Sequence, residues 1–136
     1  RYFNVYGERQ NLGGAYATVV GIFLSQFINN NPLTINGDGD QRRDFTYVGD
    51  VVSANILAAK SKNVGKGEVI NIGNGKNISI NELAKNIGGE VIYNKPLNEP
   101  FANLADIKKA KKLLDWEPTT DLISWIKNYK KIKGLK

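Results

Sequence analysis

The residues best suited to chemistry in this chain are two adjacent arginines, Arg42 and Arg43, followed by Asp44 and Phe45. A guanidinium keeps its charge at any working pH and offers a planar fork of N–H donors, so it can take two phosphate oxygens at once. Arg43 is the candidate phosphate ligand. The competing reading is a surface arginine paired with Asp44, and Arg42 is expected to face solvent. Composition excludes much else. Histidine and cysteine are absent, which removes Ser-His-Asp triads, thiolate nucleophiles, disulfides and zinc–thiolate sites. Asp38 and Asp40 are too few for a calcium loop, and no metal site is expected. Gly73-Asn74-Gly75 approaches the Gly-x-Gly-x-x-Gly pattern of dinucleotide loops, but position 78 is isoleucine, so it reads as an ordinary turn. Neither Gly65-Lys66 nor Gly75-Lys76 is followed by the Ser or Thr of a phosphate P-loop.

Alternating strands and helices must position these groups, which argues an α/β chain. Residues 1–6 read as a strand, followed by a glycine-rich loop to Gly14. From Tyr16, Val19, Val20, Phe23, Leu24, Phe27 and Ile28 recur at three and four, an amphipathic helix that Asn29 to Pro32 stops. Leu33-Thr34-Ile35, Phe45 to Val48, residues 69–72 and Val91-Ile92-Tyr93 are short extended runs. Asp50 stands where it would cap a helix over 51–60. Ser79 and Glu82 form a capping box for a helix that ends at Gly88-Gly89. Asp106 begins a helix through Leu114, and Thr119 or Thr120 caps a last one.

The chain has 136 residues, the size of one domain, with 41% hydrophobic residues. No apolar run nears the ~18 residues of a membrane span, and no secretory signal is visible. The missing cysteines fit a cytoplasmic protein. The formal charge is +6, and much of the excess lies in nine lysines over residues 106–136. These sit at helical spacing between apolar residues, as solvated helix faces do. All four arginines fall at positions 1, 9, 42 and 43, so the interleaved arginine and aromatic patch of a nucleic-acid binder is missing. The aromatic, branched opening run is unlike a free terminus, and the chain is expected to be a piece of a longer protein.

Two segments carry most information: Arg1-Tyr2-Phe3-Asn4-Val5-Tyr6-Gly7-Glu8-Arg9-Gln10, and the run from Ile35 through Arg42-Arg43-Asp44-Phe45-Thr46-Tyr47-Val48-Gly49-Asp50 to Val52. In this order they resemble the extended short-chain dehydrogenase/reductase family of NAD-dependent nucleotide-sugar epimerases and dehydratases. Ala105-Asp106-Ile107, Lys109-Ala110, Leu113-Leu114, Trp116 and Pro118 resemble that family's C-terminal ending. Residues Gly14 to Val20 look most like the subgroup that epimerises UDP-N-acetylhexosamines or their uronic acids at C4, although Gly21-Ile22-Phe23 stands where Pro-Lys-Trp is usual.

The resemblance implies the C-terminal substrate-binding lobe of a Rossmann-type fold, with remnants of the parallel NAD-binding sheet. Residues 1–14 and 43–77 would belong to the NAD domain, and 15–42 and 78–136 to the nucleotide-sugar lobe. The family's glycine-rich loop and catalytic Tyr-x-x-x-Lys would lie upstream, so no residue of this chain is expected to be catalytic. Arg43 would bind the diphosphate and Asn4 the sugar or diphosphate. Thr18, Val19, Thr34 and Asn36 would lie near the uridine and Phe23 near the uracil, while Tyr2 and Val5 would line the nicotinamide side. The family's second phosphate arginine is replaced here, because Lys95-Pro96-Leu97-Asn98-Glu99 puts proline at its place. Lys95 would supply a point charge and Glu99 would take the ribose hydroxyls. The implied ligands are NAD and a UDP-sugar, with no nucleic acid or membrane and with a homo-oligomer expected. The alternative is a nucleotide-sugar-binding module without catalysis.

Overall fold

The computed structural model describes residues 1–12 and 17–135. The segment Gly14-Ala15-Tyr16, which carries part of the subgroup resemblance, lies outside them. The elements are β1 (Val5–Tyr6), α1 (Val19–Ile28), β2 (Leu33–Asn36), β3 (Arg42–Asp44), β4 (Thr46–Tyr47), α2 (Val48–Lys60), β5 (Asn77–Ser79), α3 (Ile80–Ile87), β6 (Val91–Asn94), α4 (Lys108–Leu114) and α5 (Leu122–Ile132). Strands β1 and β4 pair in parallel, as do β2 and β6, and β3 pairs antiparallel with β5. The α/β class and the parallel pairing match the expectation.

The expected strands over 1–6 and 69–72 are shorter than read. Tyr2 and Ile72 make one parallel bridge, with Phe3 N–H donating to Ile72 O and Ile72 N–H to Arg1 O. Asn4 then takes a φ of 34°. That left-handed kink ends the first pairing and turns Val5 and Tyr6 onto Thr46 and Tyr47.

Helical periodicity places the larger core. Ile80, Leu83, Ala84 and Ile87 of α3 and Leu122, Trp125, Ile126 and Tyr129 of α5 are buried at spacings of three and four. They close on Val20, Phe23 and Leu24 of α1 and on Leu33 and Ile35 of β2. Each such side chain gains roughly 1.5–3 kcal/mol on leaving water. A second cluster packs Val51 and Ala54 of α2 against Ala110, Leu114 and Trp116. Ser79 caps α3 as read, accepting from Glu82 N–H at 3.0 Å.

Two caps differ from the sequence reading. Helix α2 starts at Val48, so Asp50 sits inside its first turn. Its buried carboxylate instead accepts from the Thr119 hydroxyl (2.7 Å) and the amides of Thr119 and Thr120. The threonines are thereby spent on α2, and Asp121 caps α5 by accepting from Ser124 N–H at 2.8 Å. One long-range carboxylate reassigns both ends.

Candidate functional site

Strand β3 carries the site. It lies between β5 and residues 101–103: Arg42 N–H donates to Phe101 O (2.7 Å) and Asn103 N–H to Arg42 O (3.1 Å). Alternation along a strand sends Arg42 and Arg43 to opposite faces. Arg42 is half-buried and donates to the Asn77 side chain and carbonyl, so it does not face solvent as expected. Its fork finishes the β3–β5 edge.

The Arg43 side chain is 11% exposed. Its partner is Glu99, at 2.5 Å from NH2 to Oε2, rather than Asp44. NH1 donates to Arg42 O (2.9 Å) and Phe101 O (3.3 Å). These bonds use three of the five guanidinium N–H groups. The Nε–H and one NH2 hydrogen have no protein partner among the described residues. The other Glu99 oxygen accepts from Gln41 Nε2 at 3.4 Å, and the same Gln41 nitrogen donates to Asn36 O at 2.8 Å.

Asp44 anchors this arrangement. It is fully buried, and its carboxylate accepts from the amides of Asn74 (2.7 Å), Gly75 (3.0 Å) and Ala105 (3.0 Å). The Gly-Asn-Gly turn is therefore a turn whose amides are already occupied by an anion, a protein carboxylate. Gly73 is required there, because a Cβ would overlap the Ala105 Cβ. Asn4 Nδ2 donates to Asp44 O (2.6 Å) and Asn103 Oδ1 (3.3 Å), and Asp44 N–H donates to the same Asn103 oxygen (2.8 Å). The Asn4 amide nitrogen is thus spent on Asp44 and Asn103, and its oxygen makes no hydrogen bond among the described residues.

A cavity of about 410 Å³ brings together Asn4, Thr18, Val19, Phe23, Thr34, Asn36, Arg43 and Glu99. Eight residues singled out in the sequence for nucleotide-sugar binding meet there. Thr18 is the N-cap of α1; its hydroxyl does not cap the helix but donates to Gln10 Oε1 at 3.4 Å, and Thr18 and Val19 share the cavity with the guanidinium. Phe23 is wholly buried and belongs to the core as well as the wall. The Thr34 amide is taken by Gln26 Oε1 at 3.1 Å, and its hydroxyl accepts from Gln26 Nε2 at 2.8 Å. Lys95 is exposed and lines none of the cavities found; Leu97 takes a place in the wall instead. Gln41 and Leu97 were missed. Gln41 stands two residues before Arg43, and period-two alternation was the available signal.

Tyr2 and Val5 lie at different recesses. Tyr2 is 55% exposed and its hydroxyl donates to Asn55 Oδ1 at 2.9 Å. Val5 borders a recess of about 640 Å³ with Tyr6, Glu8, Tyr47, Val48 and Val52. Burial alone would raise the Glu8 carboxyl, but hydrogen bonds from the Trp125 indole, from its own backbone and from Tyr47 outweigh it and hold the group below its ordinary range. Burial pushes the Tyr6 phenol well above its ordinary value. One tyrosine and lysine do have the Tyr-x-x-x-Lys spacing, Tyr129 and Lys133 on α5 and just after it. The Tyr129 ring is buried and stacks on Trp125 at 5.1 Å, and the pair lines none of the cavities found. Its spacing is that of an amphipathic helix, not of a site.

The α/β scaffold presents an arginine fork and the start of α1 to one cavity. Residues 1–73 match the NAD dependent epimerase/dehydratase family, and the chain belongs to that family. A Methanocaldococcus jannaschii protein, named provisionally as a UDP-glucose 4-epimerase, is 46% identical over 94% of this chain and 45% of its own length. The crystal structure of UDP-glucose 4-epimerase with UDP-glucose from Thermotoga maritima matches with a TM-score of 0.86 and 38% identity, over 98% of this chain and 45% of that one. UDP-glucuronic acid 4-epimerase from Bacillus cereus, in complex with UDP-glucuronic acid and NAD, matches with a TM-score of 0.83 and 37% identity, over 100% and 45%. The chain spans 45% of the length of each of these three relatives.

Proposed function

We propose that this chain is the nucleotide-sugar-binding portion of an NAD-dependent UDP-sugar epimerase or dehydratase, with a UDP-N-acetylhexosamine as the substrate and C4 epimerisation as the reaction. The observation that carries this reading is the convergence of Arg43, Asn4 and the α1 N-terminus on one cavity. Arg43 binds the diphosphate through its guanidinium fork, the α1 amides add positive potential, and Thr34, Asn36 and the Asn4 oxygen face the nucleoside and sugar. Hydride exchange at the sugar C4 is the chemistry that a bound NAD would supply to the whole enzyme in this reading. The described residues do not by themselves complete a dinucleotide site: the amides of the Gly73-Asn74-Gly75 turn are bonded to Asp44, and Tyr2 and Val5 border separate recesses. This chain's own part is binding and orientation, and by itself it is inactive.

Calorimetry of the intact protein with UDP tests the reading. Arg43→Ala removes charge-assisted bonds of about 1.5–3 kcal/mol, a loss of roughly 10- to 100-fold in affinity. Arg43→Lys keeps the charge without the fork and loses about tenfold. UDP affinity indifferent to both changes refutes it. Catalytic turnover of UDP-sugars separates an enzyme from a binding module. Val48, Val52 and Ile56, an exposed apolar stripe at spacing four on α2, offer the surface for the expected self-association, which sedimentation across protein concentrations would detect.

A further inference from the structure

Arg43 and Glu99 are the charged side chains among the described residues of the 410 Å³ cavity, so it carries no net charge. A diphosphate entering it meets a guanidinium already neutralised by a carboxylate. A second recess of about 630 Å³ lies alongside, lined by Gly37, Asp38, Tyr93, Asn94, Pro96 and Phe101. The two share Asn36, Gln41, Leu97 and Glu99. Glu99 therefore stands both on the guanidinium and in the partition between the recesses.

We propose that Glu99 is a displaceable gate that makes the site selective for ligands carrying a diphosphate. This rests on the nucleotide-sugar reading and deepens it. The guanidinium does not need Glu99 for its orientation, because NH1 is held by Arg42 O and Phe101 O. Glu99 is lightly held in return. Its side chain is 37% exposed, its second oxygen has only the long contact to Gln41, and residues 95–100 make no backbone–backbone hydrogen bond among the described residues. A diphosphate carries more negative charge than the carboxylate, so it exchanges for Glu99 on the fork at a net electrostatic gain. A neutral ligand gains nothing from that exchange and leaves the pair closed. Once Glu99 moves, the partition is reduced to Asn36, Gln41 and Leu97, and the recesses open toward one another. With no second cation among the described residues of the cavity, release of Glu99 is the route to a net positive site.

Glu99→Gln tests this in the intact protein, since it keeps the shape and removes the charge. Inorganic pyrophosphate and uracil are the probes, one charged without a base and one a neutral base without the ribose that Glu99 could hold. The gate predicts that pyrophosphate binds Glu99→Gln about tenfold more tightly than the parent, while uracil changes by less than about twofold. Pyrophosphate affinity that is unchanged or lower overturns the gate. A gain for uracil as large as that for pyrophosphate overturns it too, because a general widening of the cavity would explain both. UDP is titrated in parallel. If the parent and the variant both fail to bind it, the functional reading falls and the gate with it; if UDP binds the parent but pyrophosphate shows no gain, the gate alone falls.

Discussion

Asp44→Asn should unfold this protein more readily by about 2–4 kcal/mol. The wild-type carboxylate is fully buried and accepts three backbone amides, Asn74 on Oδ1 and Gly75 and Ala105 on Oδ2. An asparagine has one acceptor oxygen. Placed at Oδ2, it keeps the bonds to Gly75 and Ala105 as neutral ones and turns its NH2 toward the Asn74 N–H. One charge-assisted bond, worth about 1.5–3 kcal/mol, is lost, and one donor is left facing another. Water has little access to a residue with no exposed surface, so the orphaned amide stays unpaired. That loss is a large share of a typical domain's 5–15 kcal/mol. Urea unfolding of parent and variant measures it as a shift in midpoint at constant slope. A loss under about 1 kcal/mol refutes the reasoning, because the three amides would then be satisfied by something other than this carboxylate. Asp44 also holds Asn4 and Asn103 through its backbone, so the variant should lose UDP affinity even where it remains folded.

Asp121→Ala removes the cap of α5 and should cost about 1 kcal/mol, read from thermal unfolding by circular dichroism. The Ser124 amide holds the Asp121 carboxyl below its ordinary 3.8. The folded state thus binds this proton less readily than the unfolded chain. Its stabilisation is present above the ordinary value and is lost as pH falls through the lower folded one. Acid unfolding below the ordinary carboxylate range should accordingly be less steep in Asp121→Ala than in the parent, and equal slopes would count against the assignment. Glu8, held low by Trp125 and Tyr47, has the same sign. Trp116→Phe deletes the indole bonds to Asp50 O (3.0 Å) and Ser53 Oγ (2.9 Å), and should lower stability by about 1–3 kcal/mol in urea.

Local signals in the sequence determined the helix faces and several ends. The apolar positions of α3 and α5 recur at three and four, Ser79 stands three before Glu82, and Gly88 and Gly89 adopt φ of 89° and 98°. Side-chain chemistry likewise marked Arg43 as the candidate phosphate ligand, and eight of the residues that the ordered motifs single out line one cavity. Tertiary structure decided the rest. Arg43 meets Glu99 across 56 positions, Asp50 meets Thr119 across 69, and Asp44 meets Ala105 across 61. Asp50 and Asp44 each had an adjacent local role available, as a cap or an ion-pair partner, and took distant donors instead. The reason is desolvation. Once packing removes a carboxylate from water it must find several donors at once, and the number and direction of donors within reach is fixed by how β3, α2 and the C-terminal segments pack.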